Sequence, residues 1–123
     1  MDLKNFIEDW GKGIDGVLAV AVLGKEGFPL AGFTNDATLD VDITIAYFIE
    51  TIKNVKDLLA VTRLGNYEEI VITSDICYII VKSVNKDTCF GICVHSNYSN
   101  LGMLQLKIKN IYPQLISLLE ENK

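Results

Sequence analysis

The segment 41–63, VDITIAYFIETIKNVKDLLAVTR, is unusually rich in apolar residues for a helix at a protein surface. One set of them recurs every three or four positions, which predicts an amphipathic helix that covers a sheet. This stripe consists of Val41, Ile45, Phe48, Ile52, Val55 and Leu59. A thinner apolar line follows another side of the helix through Ile43, Tyr47, Leu58 and Val61, with Asn54 in its middle. Because covering one sheet needs only the first stripe, the second line predicts a further packing partner.

Amphipathic helices are also predicted at both ends of the chain. The first carries Leu3, Phe6, Ile7 and Trp10 on one face. Gly11 and Gly13 are expected to end it, because glycine accepts the left-handed conformations that close helices.

The last helix has an apolar face of Leu101, Leu104, Ile108, Ile111, Leu115, Leu118 and Leu119. Ser96, Asn97 and Ser99 are its candidate capping residues. Pro113 falls inside the pattern and is expected to kink the helix or to split it in two.

Five strands are predicted between the helices, at 16–23, 28–33, 67–73, 76–84 and 88–95. Residues 17–23 and 76–84 are apolar on both faces, which is typical of strands covered on both sides. Pro29 places the second strand at an edge or a bulge, and Gly91 suggests a close approach of another backbone or helix. Tight turns join most of these strands, which favours antiparallel pairing.

These elements predict a mixed α/β fold of the α+β kind. Their order along the chain is α-β-β-α-β-β-β-α. A five-stranded, mostly antiparallel sheet would carry the long helix on one face and the terminal helices on the other. The 123 residues suit one hydrophobic core. We therefore expect a single three-layer domain over residues 1–123.

Composition narrows the classes of partner. Half of the residues are hydrophobic and 22% are charged, a balance that excludes intrinsic disorder. The net charge of −5 argues against nucleic-acid binding, because such surfaces are basic. The longest apolar run, 17–23, is far shorter than the roughly 20 residues of a membrane helix. Residues 1–13 show no secretory signal, so we expect a cytoplasmic protein that does not insert into a membrane.

No arrangement of residue types in the sequence is typical of an enzyme. His95, the one histidine, has no nucleophile or orienting acid beside it in sequence. Glu68 and Glu69 are neighbours on a strand and therefore point to opposite faces. The three cysteines, Cys77, Cys89 and Cys93, are expected to be small apolar core residues kept reduced. We expect no metal, no cofactor and no catalytic constellation.

Arg63 is the lone arginine and ends the long helix. A basic residue at this position complements the helix dipole. An arginine offered in trans to a GTPase can instead stabilise the charge that develops on the transferring phosphoryl group. The sequence leaves both interpretations open.

Several segments resemble the Roadblock family, the dynein light-chain type. They are the hairpin GVLAVAVLGKEGFPLAGF at 16–33, the block EEIVITSDICYIIVKSVNKDTCFGICV at 68–94, and the Asn100-Leu101-Gly102 opening of the last helix. The resemblance covers nearly the whole chain. This sequence departs from the family's pattern in the last helix, where Gln105 precedes Lys107 and Lys109 and where Pro113 interrupts the helix.

The resemblance implies a dimer, with itself or with a paralogous Roadblock chain. The third strand would pair with its twin, and the long helices would lie side by side across the joint. It also implies a small Ras-like GTPase as partner, for which family members act as scaffolds or GTPase-activating proteins. The expected dimer interface comprises Ile43, Tyr47, Asn54, Leu58, Glu69, Val71 and Thr73. Arg63 is the candidate GTPase contact, and Asn54 would pair with its own copy and set the register.

An alternative function is a small-molecule sensor of the PAS or profilin-like type, since these folds also place helices on a five-stranded antiparallel sheet. A sensor needs polar groups that converge in an apolar pocket. Tyr47, Tyr78 and Cys93 are the residues expected to line such a pocket, although each position also suits a core residue.

Overall fold

A computed structural model of the chain describes residues 2–36 and 38–121, and in these residues three helices flank a five-stranded sheet. The elements are α1 Leu3–Lys12, β1 Val17–Leu23, β2 Pro29–Thr34, α2 Val41–Thr62, β3 Glu69–Thr73, β4 Cys77–Asn85, β5 Thr88–His95 and α3 Leu101–Glu121. The strand order is β2-β1-β5-β4-β3, and every neighbouring pair is antiparallel. The predicted α+β fold and element order are therefore confirmed.

The larger hydrophobic cluster lies between the sheet and helices α1 and α3. Its fully buried side chains include Phe90, Ile7, Ile80, Leu104 and Leu115. The ring of Trp10 meets that of Phe90 edge to face, with centroids 5.4 Å apart. Because both terminal helices contribute to this cluster, α1 and α3 are held together on one face of the sheet.

Helix α2 covers the other face with a smaller cluster. Its buried members are Leu23, Ile52, Val81 and Cys89, with Ile45 and Phe48 half-buried against them. The side chain of Val41, which the sequence pattern also assigns to this stripe, lies outside the described residues. The predicted layering, with the long helix on one face and the terminal helices on the other, is confirmed.

The ends of α1 differ from the prediction. The helix passes through Gly11 and ends at Lys12, and its cap, Gly13, is right-handed with φ −82°. A Cβ on Gly11 would stand 2.8 Å from the ring of Phe33 on β2. Gly11 therefore serves the close packing of the helix on the sheet rather than its termination.

The ends of α2 are set by Asp40 and Arg63. The Asp40 carboxylate accepts a hydrogen bond from the Ile43 N–H at 3.0 Å, which makes Asp40 the N-cap of the helix. The helix stops at Thr62, and Arg63 adopts a left-handed conformation with φ 57° as its C-cap. Arg63, which the sequence pattern places at the end of the helix, is thus its C-cap, although its side chain makes this conformation costly.

Helix α3 is continuous across Pro113, so of the two expected effects of the proline, a kink or a split, the split does not occur. Pro113 and its neighbour Gln114 are exposed. Lys109, whose backbone carbonyl loses its helical hydrogen bond to the proline, is exposed as well. The N-terminus of the helix is capped by Asn100, whose side-chain oxygen accepts from the Met103 N–H at 3.1 Å, and not by the serines or Asn97 that precede it.

Two expectations about the strands have different outcomes. Pro29 is the first residue of β2, an edge strand whose register with β1 shifts between Val22 and Leu23, as predicted. Gly91, by contrast, has no close backbone neighbour, because a Cβ there would meet its nearest atom at 3.8 Å. The expectation of a close approach at Gly91 is therefore wrong.

Within the described residues, no helix is long and apolar enough to cross a membrane.

Candidate interaction surface

The outer face of α2, defined by Ile43, Tyr47, Asn54, Leu58 and Val61, is exposed along the whole helix. The exposed fractions of its apolar side chains are 56% for Ile43, 74% for Tyr47, 62% for Leu58 and 83% for Val61. Patches of large apolar side chains on a protein surface mark binding sites. The sequence prediction that this line does not pack against the chain's own sheet agrees with these exposures.

The helical repeat separates the outer face from the side that contacts the sheet. Successive residues turn by about 100°, so the five outer positions fall within a stripe about 60° wide. Ile52, on the opposite side, is buried beneath the helix with 8% of its surface exposed. Helix α2 therefore presents two separate apolar surfaces, one to the sheet and one to solvent.

Strand β3 lies at one edge of the sheet, with β4 as its neighbour on one side. Its residues Val71 and Ile72 are each 38% exposed. An edge strand presents backbone N–H and C=O groups to any further strand that approaches. The strand expected to pair with its twin, β3, therefore has a free edge at which a strand of a second chain could pair.

The predicted strand residues and the outer face of α2 are on opposite sides of the sheet. Glu69, Val71 and Thr73 pair with Lys82, Ile80 and Tyr78 of β4. Ile80 belongs to the core beneath α1 and α3, so these three β3 side chains face the terminal helices. The Glu69 carboxylate also accepts a hydrogen bond from the Gln105 amide of α3 at 3.2 Å. The two predicted halves of the interface thus share an edge of the molecule but not a face.

Sequence reasoning missed two exposed apolar residues in this region. Ile72 lies on the α2 side of β3, and Leu64, just past the end of α2, is 73% exposed. Ile72 shares a face of β3 with Ile70, but it remains partly uncovered because β3 is an edge strand. Leu64 falls after the periodic segment, where the helical pattern carries no signal.

Arg63 is exposed and lies beyond the last turn of α2. Glu8 and Lys12 form the one ion pair found among the described residues, so no carboxylate in that part of the chain holds the Arg63 guanidinium. Its left-handed backbone directs the chain away from the helix axis. The guanidinium is therefore accessible to a partner that contacts the C-terminal end of α2.

His95 and the cysteines make local packing and hydrogen-bonding contacts within the fold. The Nδ1 of His95 accepts a hydrogen bond from the Asn97 N–H at 3.2 Å, and its ring meets Tyr98 edge to face. Burial raises the pKa of the Cys93 thiol to about 12, with a contribution from neighbouring Cys77. All three cysteines are free thiols. Within the described residues no group of histidine, cysteine or acidic side chains is arranged to hold a metal ion.

An apolar cavity of about 470 Å³ lies between α2 and the sheet, and Cys93 contributes to its lining. The other two residues predicted for a sensor pocket lie elsewhere. Tyr47 points to solvent from the outer face of α2, and Tyr78 packs against the core beneath α1 and α3. The sequence-based lining of a sensor pocket is therefore wrong at two of its three positions.

Comparison with known proteins identifies the fold through structure. No family model matches the chain, and no curated protein matches it significantly. MglB from Myxococcus xanthus matches at a TM-score of 0.81 with 13% identity, over 96% of this chain and 94% of that one. MglC from the same organism matches at 0.67 with 20% identity, over 95% and 98% of the two chains.

A Roadblock/LC7 domain from Streptomyces avermitilis matches at a TM-score of 0.65 with 14% identity, over 94% of this chain and 99% of that one. These coverages mean that the likeness extends over nearly all of both chains in each comparison. The chain therefore has a Roadblock-like fold, as its sequence resemblance implies.

Proposed function

We propose that residues 1–123 act as one Roadblock-like domain that dimerises and binds a small Ras-like GTPase. The observation that carries this proposal is the outer face of α2, where four large apolar side chains on either side of Asn54 are left uncovered by the chain's own core. The Roadblock resemblance supplies the expected partners, a second Roadblock chain and a GTPase. The domain would act as a regulator, as a scaffold or as a GTPase-activating partner, rather than as an enzyme in its own right.

The open edge of β3 supports the dimer part of the proposal. Two β3 strands that pair edge to edge would join the two sheets into one, with main-chain hydrogen bonds across the joint. Ile52 of α2 and Ile70 of β3 belong to the same hydrophobic cluster, so the helix lies near that edge. Two copies of α2 would then approach each other across the joint and cover part of their outer faces.

Replacing Val71 by lysine tests the dimer. The wild-type protein is expected to sediment at about twice the 13.7 kDa of one chain. Val71→Lys places a charge on the edge strand at the joint and should shift the distribution towards monomer. Phe28→Lys is the matched control, because Phe28 is 69% exposed and immediately precedes β2 at the opposite edge.

Analytical ultracentrifugation of the three proteins at micromolar concentration gives the result. A monomeric wild type would refute the dimer. A Val71→Lys protein with wild-type mass would exclude β3 as the joint while leaving a dimer through another surface.

The GTPase part is tested by recovering partners from the native cell on immobilised protein, then measuring GTP hydrolysis by the recovered partner. We expect a small GTPase that is retained by the wild type and lost with Leu58→Asp on the outer face. Recovery of partners without any GTPase would refute this part.

Arg63 distinguishes an activator from a scaffold. If its guanidinium stabilises the transferring phosphoryl group, Arg63→Ala should reduce stimulated hydrolysis while GTPase binding persists. Arg63→Lys separates charge from the bidentate geometry of arginine. Unchanged stimulation in both variants would leave Arg63 as the C-cap of α2 alone.

A further inference from the structure

The cavity between α2 and the sheet is bounded by small side chains below and by larger ones above. The floor is formed by residues of β1 and β5, namely Ala19, Ala21, Gly91 and Cys93. The roof is formed by Ile45, Phe48 and Ile52 of α2. Thr34, Asp42 and Thr44 contribute polar groups to its lining.

The floor is open although it lies on interior strands of the sheet. Ala21 pairs with Gly91, and Ala19 pairs with Cys93. All four residues are half-buried. Farther along the same two strands, Leu23 and Cys89 pair and are both buried under the helix. The change from large to small side chains therefore creates the empty space.

Gly91 contributes space rather than backbone freedom. A Cβ at this position would have only ordinary contacts, the nearest at 3.8 Å. Nothing in the local backbone therefore requires glycine, and a larger side chain would extend into the cavity. The missing side chain at Gly91 is a feature of the cavity itself.

The roof stands off the sheet over the N-terminal half of α2. Ile45 and Phe48 are half-buried, whereas Ile52, one to two turns farther along, is buried. A molecule that filled this space would remove apolar surface of the floor and the roof from water, which is favourable. Burial at the floor, which raises the pKa of the Cys93 thiol, is consistent with a shielded apolar environment.

We propose that this cavity binds one small, uncharged, largely apolar molecule. Its volume falls within the range of roughly 300–1,000 Å³ that is typical of small-molecule sites. A second copy of the chain is a poor occupant of the cavity. The cavity lies towards β1 and β2, whereas β3, through which a second copy would pair, forms the opposite edge of the sheet. The floor and the roof offer no charged partner, so a charged ligand body held against them would be unpaired. The charged lining residues, Lys4 and Asp42, belong to neither surface.

Titration with the neutral fluorescent probe N-phenyl-1-naphthylamine tests the site on the isolated protein. We expect saturable fluorescence enhancement with one probe molecule per chain, together with a rise in melting temperature. Gly91→Leu fills the floor and should weaken probe binding roughly tenfold or more. Gln114→Leu adds the same side chain at an exposed position of α3 and should bind like the wild type.

Three outcomes would overturn the proposal. They are no saturable binding by the wild type, wild-type binding by a folded Gly91→Leu protein, and loss of binding in Leu58→Ser, which would place the probe on the outer face of α2. If circular dichroism shows that Gly91→Leu is unfolded, Ala21→Leu fills the same space from the neighbouring strand and replaces it. No GTPase is present in this assay, so the cavity and the proposed function fail separately.

Discussion

At the level of single residues, Gly27 shows how closely the turn between β1 and β2 packs under α2. Its backbone is left-handed with φ 80°, and a Cβ there would overlap the Cδ1 of Ile49. Gly65 is also left-handed, with φ 97°, but a Cβ there would have no neighbour within 4 Å. The two glycines therefore separate the cost of backbone strain from the cost of a steric clash.

We expect Gly65→Ala to lower the free energy of unfolding by about 1–2 kcal/mol, the cost of a left-handed alanine. Gly27→Ala should lose about 1–3 kcal/mol more, because Ile49 must move to admit the new methyl group. Urea denaturation of both variants measures the difference. Equal losses would mean that Ile49 repacks without cost.

Protonation of the Tyr67 hydroxyl is coupled to its burial in the cluster beneath α2. Partial burial, with a contribution from Cys89, raises the pKa of its hydroxyl from 10.0 to about 12. The ammonium of Lys56 lies 5.9 Å from the centre of its ring. Since the folded pKa is above the unfolded one, the stabilisation is complete below pH 10 and is lost as the pH rises towards 12.

We expect the free energy of unfolding to fall between pH 10 and about 12, and to fall less steeply in Tyr67→Phe. The variant should keep some dependence, because burial also raises the pKa values of Cys89 and Cys93. Guanidinium denaturation at pH 9 and at pH 11.5 measures both proteins. An identical fall in the two would contradict a role for Tyr67.

At the level of elements, α3 tolerates a proline that an isolated helix would not. Pro113 removes one backbone hydrogen bond, yet buried residues lie on both sides of it at Ile108 and Leu115. The Tyr112 hydroxyl also donates to the carbonyl of Val84 at 3.0 Å. Packing of the helix on the sheet therefore holds together two segments that the proline weakens.

Pro113→Ala is expected to raise the free energy of unfolding, by up to about 3 kcal/mol. The gain is reduced because proline also restricts the unfolded chain, an effect worth about 0.4–1 kcal/mol. Gln114→Ala, at the next exposed position, should change stability by less than about 0.5 kcal/mol. A destabilised Pro113→Ala protein in thermal denaturation would show that the proline fits α3 without strain.

The order and layering of the elements follow from periodicity, because a period of two or of 3.6 decides which side of an element is buried. That is why the two sides of α2 can be predicted from its sequence. Details that depend on contacts between distant residues cannot be predicted in this way. The need for glycine at position 11 comes from the ring of Phe33 on β2. The space above Gly91 depends on the distance between α2 and the sheet.

The candidate surface was predictable to the same extent. Tyr47 and Leu58 of the outer face follow from helical spacing, whereas Val71 follows from the Roadblock resemblance, which implies that the third strand pairs with its twin. The spacing does not reveal that Val71 and the outer face are on opposite sides of the sheet, because strand order is a property of the whole fold. The sequence places Arg63 at the end of α2, but its left-handed backbone and its exposure follow only from the structure.

At the level of the whole molecule, the hydrophobic clusters on the two faces of the sheet differ in size. The cluster beneath α1 and α3 contains most of the fully buried side chains, whereas the cluster beneath α2 is smaller and borders the cavity. Parts of a protein with few buried contacts open most easily. The proposed interaction surface is therefore carried by the less firmly held layer.

Asn54 tests whether that layer meets its own copy. It is exposed in the middle of an apolar line, and a polar residue at such a position can fix the register of paired helices. Asn54→Leu is expected to change the distribution of oligomers while altering the stability of the fold by less than about 0.5 kcal/mol. Asn110→Leu, at an exposed position of α3, is the control in ultracentrifugation and denaturation. Equal behaviour of the two variants would contradict a role for Asn54 in register.

Pro29 at the start of β2 bears on how far assembly can proceed. The sheet has two edges, and the one formed by β2 begins with a residue that cannot donate a backbone hydrogen bond and with an irregular register. Two chains that pair through β3 use up both of their unobstructed edges and leave only the β2 edges at the ends of the joined sheet. Growth by further strand addition is thereby disfavoured, so a protein that associates through its sheet can stop at a closed pair instead of forming a fibre.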